Sequence, residues 1–175
     1  PLAEPGRPAT HPLWRDALTA RLATARLLAL ATRLGRRVHV LHVTTAEEME
    51  LLASHRNTAS VEVSPQHLTL VAPKCYERLG TLAQMNPPLR EDADRDAMLE
   101  GIADGSVDVI ATDHAPHHAD EKMLEFDRAP FGIVGLETAV SLSLDRLVHA
   151  GVISLARLVE LLSTNPARIL RVPGG

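Results

Sequence analysis

Three short runs rich in β-branched residues, each followed by a helical pattern, constrain this chain more than any other feature. They are "RVHVLHVTT" (37–45), "ASVEVS" (59–64) and "VDVIAT" (107–112). Helical patterns follow at "AEEMELLASH", at "ADRDAMLEGIADG" after a proline-rich "MNPPLRED", and at "GLETAVSLSLDRLVHAG" and "SLARLVELLSTNP". Strands that alternate with helices predict an α/β fold built on a parallel sheet. Ahead of them, "HPLWRDALTARLATARLLALATRLG" reads as one helix, with Pro12 near its start and Gly35 as its C-terminal cap. Thr45 and Glu48 have the spacing of a capping box at the start of the helix that follows the first strand.

Composition limits what such a fold can do. Hydrophobic residues make up 45% and charged residues 23%, which fits a globular chain. Aromatic residues are only 2%, so Leu, Val, Ile and Ala must build the core. A net charge of -4 leaves no basic footprint and argues against nucleic acid as the main partner. The lone Cys75 has no partner for an internal disulfide, and no run of 18 apolar residues or signal-peptide pattern is present. Membrane partners are therefore not expected, and the cytoplasm is the expected location.

The first helix has no strand before it to pack on, and "RVPGG" ends the chain without a finishing element. A (β/α)8 barrel needs about 250 residues, so three strand–helix units would form a part of one. A small open α/β sheet is the other reading of the same pattern. The expectation is one piece of a larger domain over 1–175.

The strand ends carry the chemistry. Alternation groups Val38, Val40 and His42 on one face, with His39, Leu41 and Val43 on the other. It likewise groups Val107, Val109, Ala111 and Asp113. Each strand thus has an apolar face that ends in a group able to bind a metal or move a proton. Parallel α/β folds place active sites at that edge of the sheet. Imidazole and carboxylate suit zinc, but a catalytic zinc takes about three protein ligands. His114, His117 and His118 are further candidates, each equally readable as a solvated loop residue.

"LHVTT", "NPPLR", "ATDHAPHHADEK" and "APFGIVGLET", in this order, resemble the C-terminal half of a dihydroorotase of the longer bacterial type, in the amidohydrolase superfamily. The resemblance runs from about residue 10 to residue 170. It implies part of a (β/α)8 TIM-like barrel, with His42 on the sixth strand and Asp113 ending the eighth. By the same resemblance, His42 binds the more buried metal, and Asp113 contacts the metal site and acts as general acid/base. Asn86 would hydrogen-bond the substrate ring, His117 would hold the substrate carboxylate, and the backbone of Phe131 and Gly132 would close over the substrate. The long connection from His114 to Gly135 would wrap that substrate, with "ADEKMLEFDR" as its solvated surface. The implied cofactor is Zn2+, two per site in the complete protein. The implied reaction interconverts N-carbamoyl-L-aspartate and L-dihydroorotate in pyrimidine synthesis.

One segment departs from the pattern. Dihydroorotases of this type have two adjacent histidines after the proline of "VEVSPQHLTL", where this chain has Gln66 and His67. Neither is assigned to a metal. The remaining ligands of the resemblance would lie upstream, so these 175 residues alone are expected to be inactive. A hydantoinase or allantoinase activity is one alternative, and a non-catalytic subunit beside aspartate transcarbamoylase is another. The partner expectations are a homodimer and an association with that enzyme.

Overall fold

A computed structural model of the protein describes residues 6–173; the final Gly174 and Gly175 of "RVPGG" and residues 1–5 lie outside the described residues. The segment read as one N-terminal helix is two, α1 (His11–Trp14) and α2 (Ala17–Arg33). Asp16 interrupts it: its backbone is extended and its side chain accepts from Thr19 N at 2.7 Å, an N-cap bond that starts α2 afresh. At the far end Leu34 caps α2 and Gly35 follows with φ 60, the left-handed turn expected of a glycine there.

The sheet begins with β1 (Val38–Val40), which leads into α3 (Ala46–Ala53) capped by Thr45. Next come β2 (Ala59–Val63), α4 (Pro65–Thr69), α5 (Lys74–Leu79) and α6 (Asp92–Ala103). β3 (Val109–Ile110) precedes a long loop that contains α7 (Ala119–Lys122). The chain closes with α8 (Ala139–Ser143), which runs into a π-helical turn, then α9 (Leu155–Val159), a second π-helical turn and α10 (Asn165–Leu170). The strands lie parallel in the order β1-β2-β3, with Val40 opposite Val61 and Val63 opposite Ile110.

One face of the sheet builds the main core. Val40, Val61, Val63 and Ile110 pack with Leu28, Leu52, Ile102 and Leu161 from the surrounding helices. Each such side chain contributes about 1.5–3 kcal/mol when fully buried. A smaller cluster around Tyr76, Met85 and Leu89 anchors the "NPP" turn. Cys75 lies in it, and burial pushes its thiol up to about 11, so the group is inert. On the other face His39 bridges two side chains of β2, with Nδ1 2.8 Å from Ser60 and Nε2 3.0 Å from Glu62.

The strict alternation predicted for the strands is broken. Val40 and Val43, three residues apart, both enter the core, and so do Val107 and Ile110. The first case follows from His42, whose φ of 37 turns the chain out of the extended state. In the second, Val107 N donates to Gly101 O at 2.8 Å, so this residue belongs to the turn after α6 and not to the ladder. Among the described residues no helix is long and apolar enough to cross a membrane.

Candidate active site

His42 and Asp113 occupy equivalent places, just past the C-terminal ends of β1 and β3. Both have left-handed backbone, with φ of 37 and 45, a state costly for residues other than glycine. Pairing with β2 flanks them: Val43 N, just past His42, donates to Glu62 O at 2.8 Å, and Ala111 N, before Asp113, donates to Val63 O at 3.0 Å. His42 is half-buried and Asp113 is exposed. Neither side chain makes a hydrogen bond among the described residues. With β2 between them, the two strands stand about 10 Å apart, two strand spacings.

The tip of β2 fills the gap. Gln66 of α4 is buried, and its Nε2 donates to the carbonyl of Thr112, beside Asp113, at 2.8 Å. Its Oε1 is buried with no hydrogen-bond partner. His67 is buried too, with Nδ1 2.7 Å from Ser64 Oγ and Nε2 3.0 Å from Pro87 O. Both ring nitrogens are thus engaged within the fold. Burial pulls its pKa down to about 4, so the ring is neutral near pH 7. A cleft of about 370 Å³ opens beside His42 between α2 and β1, with Thr24, Glu48 and Pro87 in its lining. The Glu48 carboxylate there is held by Thr24 Oγ1 at 2.7 Å, Thr45 Oγ1 at 3.0 Å and Thr44 N at 3.3 Å.

Asn86 stands at the turn after α5, where its Oδ1 accepts from the Arg15 guanidinium at 3.1 Å. A guanidinium carries donors only, so this contact engages the amide oxygen, and the same side chain lies against the buried His11. Arg90 ties the same turn to the α1–α2 corner, where it donates to Arg15 O at 2.5 Å, and to the segment after β1, where it donates to Thr44 Oγ1 at 3.4 Å.

The loop 114–135 is zipped at its stem. His114 forms a parallel bridge with Ile133, Ala115 N donates to Ile133 O, and His114 Nδ1 accepts from Gly135 N at 3.0 Å and Leu136 N at 3.2 Å. His118 is the N-cap of α7, in a reciprocal box with Glu121. Both histidines are therefore loop-forming groups. His117 Nε2 lies 3.1 Å from Phe131 O. Gly132 has φ 149, and a Cβ there would meet Ala115 O at 2.6 Å. Its N–H donates to Gln84 O and its carbonyl accepts from Lys122, so both backbone groups are used inside the protein. Phe131 is partly exposed, its ring 5.0 Å from the fully buried His11.

The reading of "ADEKMLEFDR" as a solvated surface is corrected by Lys122 and Phe126, both buried. Lys122 Nζ donates to three carbonyls and Phe126 packs against His11 and Trp14. His11, Gln84 and Lys122 carry no sequence signal that marks them; Asp16, a capping residue before an apolar run, does.

His42 and Asp113 are of the right chemistry for zinc but only two in number. Among the described residues no group of three or more His, Cys, Asp or Glu side chains is arranged to hold a metal ion. On its own, the donor set falls short of the three ligands a catalytic zinc takes.

No family model matches the chain. It is 44% identical over 153 residues to a dihydroorotase of Elusimicrobium minutum, covering 86% of this chain and 35% of that protein. To a dihydroorotase of Pelotomaculum thermopropionicum it is 46% identical over 154 residues, covering 86% and 36%. Among solved structures, L-hydantoinase from Arthrobacter aurescens superposes with a TM-score of 0.81 at 29% identity, covering 88% of this chain and 35% of that one. A D-hydantoinase superposes with a TM-score of 0.83 at 30% identity, covering 93% and 37%. The chain spans about a third of the length of the curated relatives it matches. Over most of its length the chain is thus similar to about a third of a dihydroorotase, and its solved structural neighbours are hydantoinases.

Proposed function

We propose that the protein carrying this chain is a dihydroorotase, interconverting N-carbamoyl-L-aspartate and L-dihydroorotate at the C-terminal edge of a (β/α)8 barrel. The observation that carries the reading is the paired left-handed backbone at His42 and Asp113, on strands that are parallel and two apart. Strain of this kind persists at sites where the surroundings fix it, and it aims a side chain off the ladder.

His42 and Asp113 would supply an imidazole and a carboxylate to a zinc ion, which would need at least one further ligand. Zinc, when bound, polarises the ring carbonyl and acidifies water. Asp113, exposed and unbonded, takes a proton from the attacking water and returns it to the departing ring nitrogen; in cyclisation the transfer runs in reverse. Asn86, held at the turn by Arg15, hydrogen-bonds the substrate ring. His117, fixed by its contact with Phe131 O, holds the substrate carboxylate. Phe131, partly exposed, and Gly132, whose lack of a side chain lets the loop approach Ala115, close over the substrate.

A hydantoinase or dihydropyrimidinase activity is the second reading. It is favoured by the solved neighbours and by Gln66 at the place of the usual histidine. The test uses the product of the complete gene, purified with zinc. Ring opening of L-dihydroorotate is followed by ultraviolet absorbance, with hydantoin and allantoin alongside and Asp113→Asn as control. Turnover of dihydroorotate, lost in the variant, supports the first reading; turnover of another ring moves the protein to the second.

A further inference from the structure

We propose that Lys122 and Gln84 form a clasp that holds the Asn86 turn and the loop 114–135 at a fixed spacing, which makes Lys122 a positioning residue for substrate binding. The proposal rests on the functional reading above for the identity of the substrate.

Lys122 is buried, and among the described residues its ammonium bonds carbonyls rather than a carboxylate. It donates to Gln84 O at 3.1 Å, Pro130 O at 2.9 Å and Gly132 O at 2.9 Å. An ammonium has three donors and no acceptor, so these bonds saturate it. Burial lowers its pKa, which means the charged form is held against a desolvation cost by the dipoles aimed at it. The acceptors come from two segments. Gln84 stands two residues before Asn86, while Pro130 and Gly132 flank Phe131.

Gln84 completes the device from its own side. Its Nε2 donates to Phe126 O at 3.0 Å and Ala129 O at 3.2 Å, and its carbonyl also accepts from Gly132 N at 2.9 Å. Thr81 Oγ1 donates to the carbonyl of Lys122, which fixes α7 against the same segment. His117 holds Phe131 O from the loop's near end. Asn86, His117 and Phe131 therefore keep their mutual spacing through one ammonium and one amide. None of the three moves the proton in the reaction, so loosening the clasp falls on substrate binding and not on the chemical step.

The experiment uses the complete metal-loaded protein and the variant Lys122→Met, which keeps the apolar stem and removes the donors. The expected result is a rise of about tenfold or more in KM for L-dihydroorotate with kcat within about twofold. Amide hydrogen exchange is expected to speed up by about tenfold over 126–132 and at Gln84, with the amides of β1 and β2 unchanged. Gln84→Met, which loses the amide bonds and keeps the main-chain carbonyl, gives a smaller rise in the same sense and stands in if Lys122→Met does not accumulate. Unchanged KM despite faster loop exchange overturns the proposal. So does a matched fall in kcat with exchange accelerated throughout the sheet, which marks a general structural role. If the unaltered protein leaves dihydroorotate intact while exchange responds as expected, the substrate reading fails alone, and the KM comparison is made with the ring the protein does open.

Discussion

The two halves of the candidate site are built on opposite plans. At the strand tips, His42 and Asp113 carry unbonded side chains on backbone held in an unfavourable conformation. In the loop 114–135, the side chains of His114, His117, His118 and Lys122 bond to the main chain of the loop and of the neighbouring segment. The first plan leaves groups available to react and places the constraint in the main chain. The second uses up its polar groups to give a surface of fixed shape. Chemistry needs the former, recognition the latter.

Asp113→Asn gives the largest effect expected from this contrast. Asparagine tolerates the left-handed state, so fold and melting temperature should stay as they are. Ring opening by the complete protein should fall by about a thousandfold, the range for a lost general acid/base. A fall of only a few-fold would make Asp113 another shaping residue, and the contrast would collapse.

Acid should strain both halves, because each rests on a buried neutral histidine: His67 behind the strand tips, His11 beneath the loop. Burial lowers both to about 4 from the ordinary 6.5, helped at His11 by the charges of Arg15 and Arg90. A depressed histidine pKa means the folded state binds fewer protons than the unfolded chain. The stability is therefore present above pH 6.5 and lost as pH falls from about 6.5 towards 4, by up to about 3 kcal/mol per histidine. Urea denaturation at pH 7 and pH 4.5 measures the loss, and His11→Phe should remove about half of it.

Gly135→Ala probes the seam between the halves. A Cβ there would meet Gln66 Nε2 at 2.5 Å and Thr112 O at 2.8 Å, both beside the strand tips. The loop stem is held at the same residue by His114, so neither side gives way freely. A loss of about 2 kcal/mol is expected, read from the urea midpoint.

The smallest effect tests the backbone constraint itself. His42→Gly should be more stable than His42→Ala by about 1 kcal/mol, since only glycine adopts φ 37 freely. Equal stabilities would mean that the strand tip is relaxed.

Legibility in the sequence follows the same division. The strand–helix alternation, the Thr45 cap and Gly35 could be read because each depends on a few neighbouring residues. His42 and Asp113 could be placed at strand ends for the same reason, although their faces could not: left-handed backbone in a histidine or aspartate leaves no trace in an alternating pattern. The helix break at Asp16 was readable and is hidden only by the stronger apolar run around it. Lys122 lay beyond reach. Its burial depends on carbonyls 38, 8 and 10 residues away, and in "ADEK" it looks like any solvated charge.

The sheet order has one more consequence. β1 and β3 are its outer strands, so each turns a row of backbone donors and acceptors sideways. Such rows template the addition of further strands, from the same chain or from a foreign one. Here the rows are three and two residues long. That brevity limits how firmly a stray strand can be captured, and it makes registry with any adjoining strand depend on side-chain fit more than on the ladder.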